Sequence, residues 1–352
     1  MTQPTALVIG NFSSSWGASP TASEAFAQRL GTVGWRVLTA SHKRRRLVKL
    51  ADMLWTTWRS RRDYDVACVD VYSGAAFVWA VAVCSLLRML GKPYVLSLHG
   101  GGLPEFALRW GRSLHKLAAN SAGVVAQSGY LAACLPEDKS LVVEIPNGID
   151  IGLYPFRARP TPEPRLVWLR AFHEIYNPCL AVRVLAILKP DLPAATLTMV
   201  GSDKGDGSLA ATRNEAKALG VSAHVEFPGG VAKSNVPAWL SKGDIFLNTS
   251  DFDNTPVSVE EALACGLCVV STDVGGMPYL VENGADGLLV APRDPEAMAA
   301  AVRQILRDQG LAGRLSAAGR QKAQDFDWSR VLPKWEELLS AAARSGRRAR
   351  GK

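Results

Sequence analysis

Short apolar runs alternate with amphipathic stretches along nearly the whole chain, and this rhythm leaves few folds open. Apolar runs at 6–10, 36–39, 66–70, 94–98, 123–126 and 142–145 read as strands, with helical patterns such as 21–30 and 110–119 between them. Strand, helix and strand repeated in this way make a parallel sheet with helices on both faces. From 150 to 164 the rhythm stops, and four prolines without a period predict a linker. A second series follows, with strands at 166–169, 196–200, 224–227, 245–247, 268–272 and 287–290. Its helices fall at 180–188, 209–219, 236–241, 258–265 and 296–307. The expected class is α/β, with two doubly wound parallel-sheet domains facing a cleft. Such sheets bind ligands at the carboxyl ends of their strands.

At 352 residues, two domains are a better expectation than one. A hydrophobic content of 48% excludes a disordered chain. The six cysteines are scattered and sit mostly within apolar runs, which predicts reduced, buried thiols in a cytoplasmic protein. Met-Thr-Gln-Pro leads straight into the first apolar run with no basic region before it, so no signal peptide is expected. The run 75–87 is shorter than the roughly 20 residues of a membrane span and reads as a buried core helix.

The net charge of +8 is unevenly spread. Residues 1–150 hold 16 Lys and Arg against 10 Asp and Glu, and the tail from Ala343 adds five cations and no carboxylate. A basic first half suggests an anionic partner. Residues 43–62 concentrate eight cations, among them Lys43, Arg44, Arg45 and Arg46, together with Trp55 and Trp58. As a helix this is the composition of a segment lying on an anionic membrane surface, here the inner face. A nucleic-acid patch and a solvated charge run are the alternatives, and no nucleic-acid motif accompanies the segment.

The most informative stretch is 248–278: a strand, a polar loop, a helix, a strand and a glycine loop. Thr255 or Ser258 is placed to cap the helix, whose first N–H groups favour a phosphate. Asp253 lies in the loop and Glu261 one turn into the helix, with seven residues between them. This segment, with Glu261-Ala-Leu-Ala-Cys-Gly266 and the later Gly275-Gly276, resembles the carboxylate–seven residues–carboxylate signature of glycosyltransferase family 4. The first carboxylate is normally Glu, and here it is the shorter Asp.

The resemblance implies the GT-B fold of two Rossmann-like domains and retaining transfer from a nucleotide diphosphate sugar to a hydroxyl. The acceptor it implies is a glycan or a lipid-linked precursor. Asp253 would hold the donor sugar and Glu261 the ribose. Arg170 and the loop amides around Thr255–Val257 would hold the diphosphate, and Asn254, Thr255, Pro256 and Val257 would line the donor site. Asn177 stands where the family has a second clamp cation, a Lys. Gly17, in the loop after the first strand, would approach the donor. His99, before Gly100-Gly101-Gly102, would contact the acceptor or the transition state. The donor would be a UDP- or GDP-sugar, with no cofactor and no metal.

The expected domains are 1–155 for the acceptor, 156–325 for the donor, 326–343 as a helix crossing back, and 344–352 as a basic tail. A weak nucleotide-sugar binder and a nucleotide-sugar epimerase stay open. Gly205-Asp-Gly-Ser-Leu-Ala210, followed by Glu226, also fits a dinucleotide fingerprint and keeps a dehydrogenase in view, although it begins late after its strand. Cys265 and Cys268 form a lone C-x-x-C, read as structural.

Overall fold

A computed structural model of the chain describes residues 4–12, 21–135 and 140–350, with side chains as far as 346. It divides into two compact units: the residues up to Gly148 together with those from Trp328 onward, and Ile149–Asp327.

In the first unit the chain runs β1 (Thr5–Ile9), α1 (Ala22–Thr32), β2 (Arg36–Ala40), α2 (Arg46–Arg59), β3 (Val66–Val71), α3 (Ala75–Met89), β4 (Tyr94–Leu98), α4 (Leu103–Ala119), β5 (Gly123–Ala126), α5 (Gly129–Ala132) and β6 (Val142–Glu144). All pairings are parallel, in the order β2-β1-β3-β4-β5-β6. Alternate residues of each strand point to opposite faces, so two separate layers of core form. Leu7, Val69 and Leu96 pack with Met53, Phe77 and Leu114 of α2, α3 and α4. Ala6, Val8 and Val95 pack on the other face with Phe26 and Leu30 of α1. That second layer is completed from far along the chain by Val331, Trp335 and Leu339.

The second unit runs β7 (Arg165–Leu169), α6 (Pro178–Leu188), β8 (Thr196–Val200), α7 (Ser208–Ala218), β9 (Val225–Gly229), α8 (Val236–Ser241), β10 (Ile245–Asn248), α9 (Val257–Ala264), β11 (Cys268–Thr272), α10 (Met277–Leu280), β12 (Leu288–Val290), α11 (Pro295–Arg307) and α12 (Gln309–Ala323). Its sheet is again parallel, in the order β12-β11-β10-β7-β8-β9. Leu166, Trp168, Ile245 and Cys268 face α6, α11 and α12, and Val167, Phe246 and Val269 face α9. Each expected strand is present among the described residues, and the class is the two-sheet α/β arrangement of GT-B proteins.

Three expectations change. The proline-rich stretch 150–164 is not a free linker. Arg159 is buried there, donating to the carbonyls of Arg157, Gly243 and Cys265 and pairing with Asp244 at 3.2 Å. Composition predicted the linker because prolines break periodicity, but a non-periodic segment can still be pinned by a buried guanidinium. The basic stretch expected as a tail from 344 is helical as far as Arg350, where α13 (Trp328–Arg350) ends. Finally, α3 buries one face only: Phe77, Ala80, Val83, Cys84 and Leu87 are inside, while Val78 and Met89 are exposed. No helix among the described residues is long and apolar enough to cross a membrane.

Candidate active site

In the second sheet the strand order reverses between β7 and β10. Arg170 follows β7 directly, and its N–H donates to the Val200 carbonyl at 3.1 Å. A Cβ on Gly201 would lie 1.7 Å from the Arg170 carbonyl oxygen, so only glycine lets the two strand ends close in this way. The guanidinium stacks over Tyr176, 4.2 Å from the ring centroid, and its Nη2 pairs with Asp253 Oδ2. Its Nε is buried without a hydrogen-bond partner among the described residues.

Asp253 is buried, and its other contacts are local. Ser250 Oγ donates to Oδ2 and the Asn254 N–H to Oδ1, both at 3.0 Å. A chain of buried polar contacts braces this loop: Trp168 Nε1 to Thr249, Asn248 to Ser271, Ser250 to Asn248, and Thr272 to the Ser250 carbonyl. The glycine loop closes it from the far side. The Gly276 N–H donates to the Asp253 carbonyl at 3.2 Å, and a Cβ on Gly276 would sit 2.6 Å from the Asn254 carbonyl oxygen.

Neither Thr255 nor Ser258 caps α9, contrary to expectation. The N-cap is Pro256 with no side-chain cap, and Ser258 Oγ is buried without a partner among the described residues. Proline has no side-chain acceptor, and while the Val259 N–H donates to the Pro256 carbonyl, those of Val257 and Ser258 remain as donors among the described residues. Glu261 lies on that helix, 2% exposed. Its Oε1 accepts from both Tyr154 Oη and Lys233 Nζ. Burial, and then the Glu261 charge, push the Tyr154 phenol well above its usual pKa, so it remains a donor.

The structure thus joins Arg170 to Asp253 and builds a second cluster around Glu261. Tyr154 and Lys233 were not among the sequence-derived candidates. Tyr154 stood in the supposed linker. Lys233 follows Gly229-Gly230 after β9, and a cation just past a strand-end glycine pair was the available signal. Asn177 takes a left-handed conformation at the start of α6 and donates to Asp251 at 3.2 Å, so no cation occupies that position. Gly17 lies outside the described residues.

His99 belongs to the first unit, where it follows β4. Its Nε2 is 3.1 Å from Asp70 Oδ1 and 3.0 Å from Ser97 Oγ, and Tyr72 stacks on the ring at 5.1 Å. Gln127 donates to Nδ1 at 3.2 Å, which leaves Nε2 as the N–H donor toward Asp70. In the same unit Lys43, Arg44, Arg45 and Arg46 are exposed around the start of α2. Trp55 and Trp58 are also exposed, with ring centroids 5.3 Å apart.

The fingerprint glycines do other work. Gly205 and Gly207 both have positive φ, and Asp206 between them accepts from the N–H groups of Glu174 and Ser208 and from Ser208 Oγ. Those hydrogen bonds, from the Ser208 hydroxyl first, lower its pKa to about 2. A fixed carboxylate at the start of α7 occupies the place where a dinucleotide would put its pyrophosphate. Cys265 and Cys268 are buried thiols with pKa values raised by burial to about 11 and about 12.

Residues 156–322 match the family model described as glycosyl transferases group 1. The glycogen synthase of Mycobacterium tuberculosis is 31% identical over 293 residues, 76% of this chain and 68% of that protein. A GDP-mannose-dependent alpha-(1-6)-phosphatidylinositol monomannoside mannosyltransferase of Mycolicibacterium smegmatis is 28% identical over 298 residues, 77% of this chain and 76% of that protein. Among solved structures, Anabaena HepE in complex with UDP and glucose superposes with a TM-score of 0.77 at 19% identity, over 96% of this chain and 100% of that one. Sucrose-phosphate synthase of Thermosynechococcus elongatus gives a TM-score of 0.77 at 17% identity, over 95% and 98%.

Proposed function

Since this chain belongs to the group 1 glycosyl transferases and is a glycosyltransferase, we propose that it works as a retaining enzyme of glycosyltransferase family 4. It moves a sugar from a UDP- or GDP-sugar to a hydroxyl of a glycan or lipid-linked acceptor. The observation that carries this reading is the end of β7: a half-buried guanidinium with an unpartnered Nε, beside a helix that no side chain caps. A diphosphate supplies the acceptor atoms that both lack.

In this reading Arg170 and the backbone N–H groups of Thr255 and Val257 stabilise charge as it develops on the leaving diphosphate. Asp253 keeps Arg170 in place through Oδ2. Its Oδ1, with one lone pair already used by Asn254, accepts from a donor-sugar hydroxyl. Glu261 takes the ribose hydroxyls at Oε2, because Oε1 is occupied by Tyr154 and Lys233. Lys233 adds a cation that partly replaces the one absent at Asn177. The leaving phosphate oxygen accepts the proton of the attacking hydroxyl on the same face of the sugar. The protein's contribution is then positioning and charge stabilisation, which call for no metal. His99, held by Asp70 and Gln127, contacts the acceptor. The exposed Trp55 and Trp58, with Lys43 and Arg45, fit peripheral attachment to an anionic inner membrane face. Asn177, bonded to Asp251 instead of offering a charge, favours a second reading in which the protein binds a nucleotide sugar but transfers it slowly.

Calorimetry with UDP, GDP and their sugars tests the donor site. One nucleotide series should bind the wild type, and Glu261→Gln should weaken it about tenfold by removing charge without removing the Tyr154 contact. Equal donor affinity in the variant would remove Glu261 from the site. Transfer to no added acceptor, with normal donor binding, would favour the second reading.

A further inference from the structure

The first sheet also reverses its order, between β1 and β3. There the structure holds a cavity of about 480 Å³ bounded by Gly10 and Asn11 after β1, by Asp70 and Tyr72 of the β3 end, and by α2 and α3. Its apolar wall includes Met53, Trp79 and Val83. Three cations line it, Arg44, Arg46 and Lys49, against one carboxylate, Asp70, which already accepts from Ser23 and faces His99. Two of the cations assigned from the sequence to a membrane surface, Arg44 and Arg46, therefore border this cavity.

The start of α2 is built with the wrong sign for an isolated helix. Arg45 is the N-cap with no side-chain cap, Arg46 is the first helical residue, and the first turn has no acid. Cations there repel the positive end of the helix dipole, and among the described residues no side chain caps the first N–H groups. Elsewhere in the chain α1, α11 and α12 are capped by Thr21, Asp294 and Asp308. One turn on, Lys49 is buried, 6% exposed, donating to Asn11 Oδ1 at 2.5 Å. Burial lowers its pKa and the Asp70 charge opposes that. An anion in the cavity would reverse all three penalties.

We propose that this cavity is a binding site for a phosphate monoester, its phosphate on Arg44, Arg46, Lys49 and the α2 N-terminus and its hydroxyl-bearing part toward Asp70 and Tyr72. The inference rests on the transferase reading above and names the acceptor class: a small phosphorylated alcohol. A monoester carries a charge of about −1.5 to −2 near pH 7 and three acceptor oxygens, which suits three cations and a helix end better than a single carboxylate. The volume lies in the lower half of the range of about 300 to 1,000 Å³ usual for small-molecule sites, so it admits one sugar-sized group and not an extended glycan.

Calorimetry on the full chain with glycerol 3-phosphate, inorganic phosphate and neutral glycerol tests this. Glycerol 3-phosphate should bind where glycerol does not. The double variant Arg44→Ala/Arg46→Ala should weaken it about tenfold or more, and Arg45→Ala, an exposed cation outside the cavity, should not. Both arginines are exposed, and an unchanged melting temperature confirms that the double variant folds. Vesicles of phosphatidylcholine with phosphatidic acid separate two sources. Sedimentation that the double variant loses, and that free glycerol 3-phosphate competes away, identifies a lipid headgroup. Binding of the free ester alone identifies a soluble acceptor. Binding no tighter than glycerol, or unchanged in the double variant, overturns the proposal. Nucleotide-sugar binding in the same samples reports on the donor site separately: if it persists while the ester fails to bind, only this inference falls.

Discussion

The two sheets reverse their strand order in the same way, yet they end differently at that point. In the second unit the strand ends are filled. Arg170, Asp253, Ser250, Asn248 and Thr249 bond to one another and to the backbone, and glycines at 201 and 276 let the loops close. In the first unit the strand ends stand back from a hollow of about 480 Å³, with Asp70 on its floor and cations along one side. One topology therefore supports a pre-set polar lattice and an open container. A lattice suits a group whose charge must be met by fixed dipoles. A container suits a ligand chosen by size and charge.

The contrast predicts separable effects, and the largest belongs to the lattice. Arg170→Ala should lower kcat/KM about a thousandfold and weaken donor binding. It should also lower the melting temperature, because Asp253 is left buried without its ion pair. Unchanged donor affinity in that variant would break the assignment of the filled site to the donor. Next, His99→Gln should reduce transfer about a hundredfold by misplacing the acceptor while donor Kd stays the same. A parallel loss of donor affinity would show that the two regions do not act separately. The smallest effect concerns the outer side of α2. Replacing Trp55 and Trp58 by Ser should reduce sedimentation with anionic vesicles about tenfold and leave donor binding alone. Vesicle binding equal to wild type would leave the cavity as the sole role for this basic segment.

How far the sequence anticipated these regions also differs between them. Strands such as β1 and β11 could be read because they hold uninterrupted apolar runs buried on both faces, Ala6–Ile9 and Cys268–Val270. The α9 region could be read because its residues are contiguous: loop carboxylate, helix carboxylate and glycine pair fall within one span. What escaped depends on residues brought together over long separations. Tyr154 meets Glu261 across 107 positions and Lys233 meets it across 28, and neither partner belongs to a periodic pattern. Ser258 looked like a cap because serine usually is one, but Pro256 is the N-cap and the Ser258 hydroxyl has no partner among the described residues. The basic segment gave its composition without its geometry. A run of cations reads the same whether it faces lipid, water or a cavity, and only the packing of Lys49 and Met53 inward distinguishes them.

The return of α13 to the first sheet has a consequence for how the polypeptide is made. The helix supplies Val331, Trp335 and Leu339 to a face that also holds Ala6, Val8 and Val95. During synthesis that face stays uncovered until residues more than three hundred positions beyond β1 have left the ribosome. The second unit is continuous from Ile149 to Asp327 and can close before then. The order of synthesis therefore favours the middle of the chain folding first, with the beginning waiting for the end. Over that interval the first sheet is the surface most in need of a chaperone.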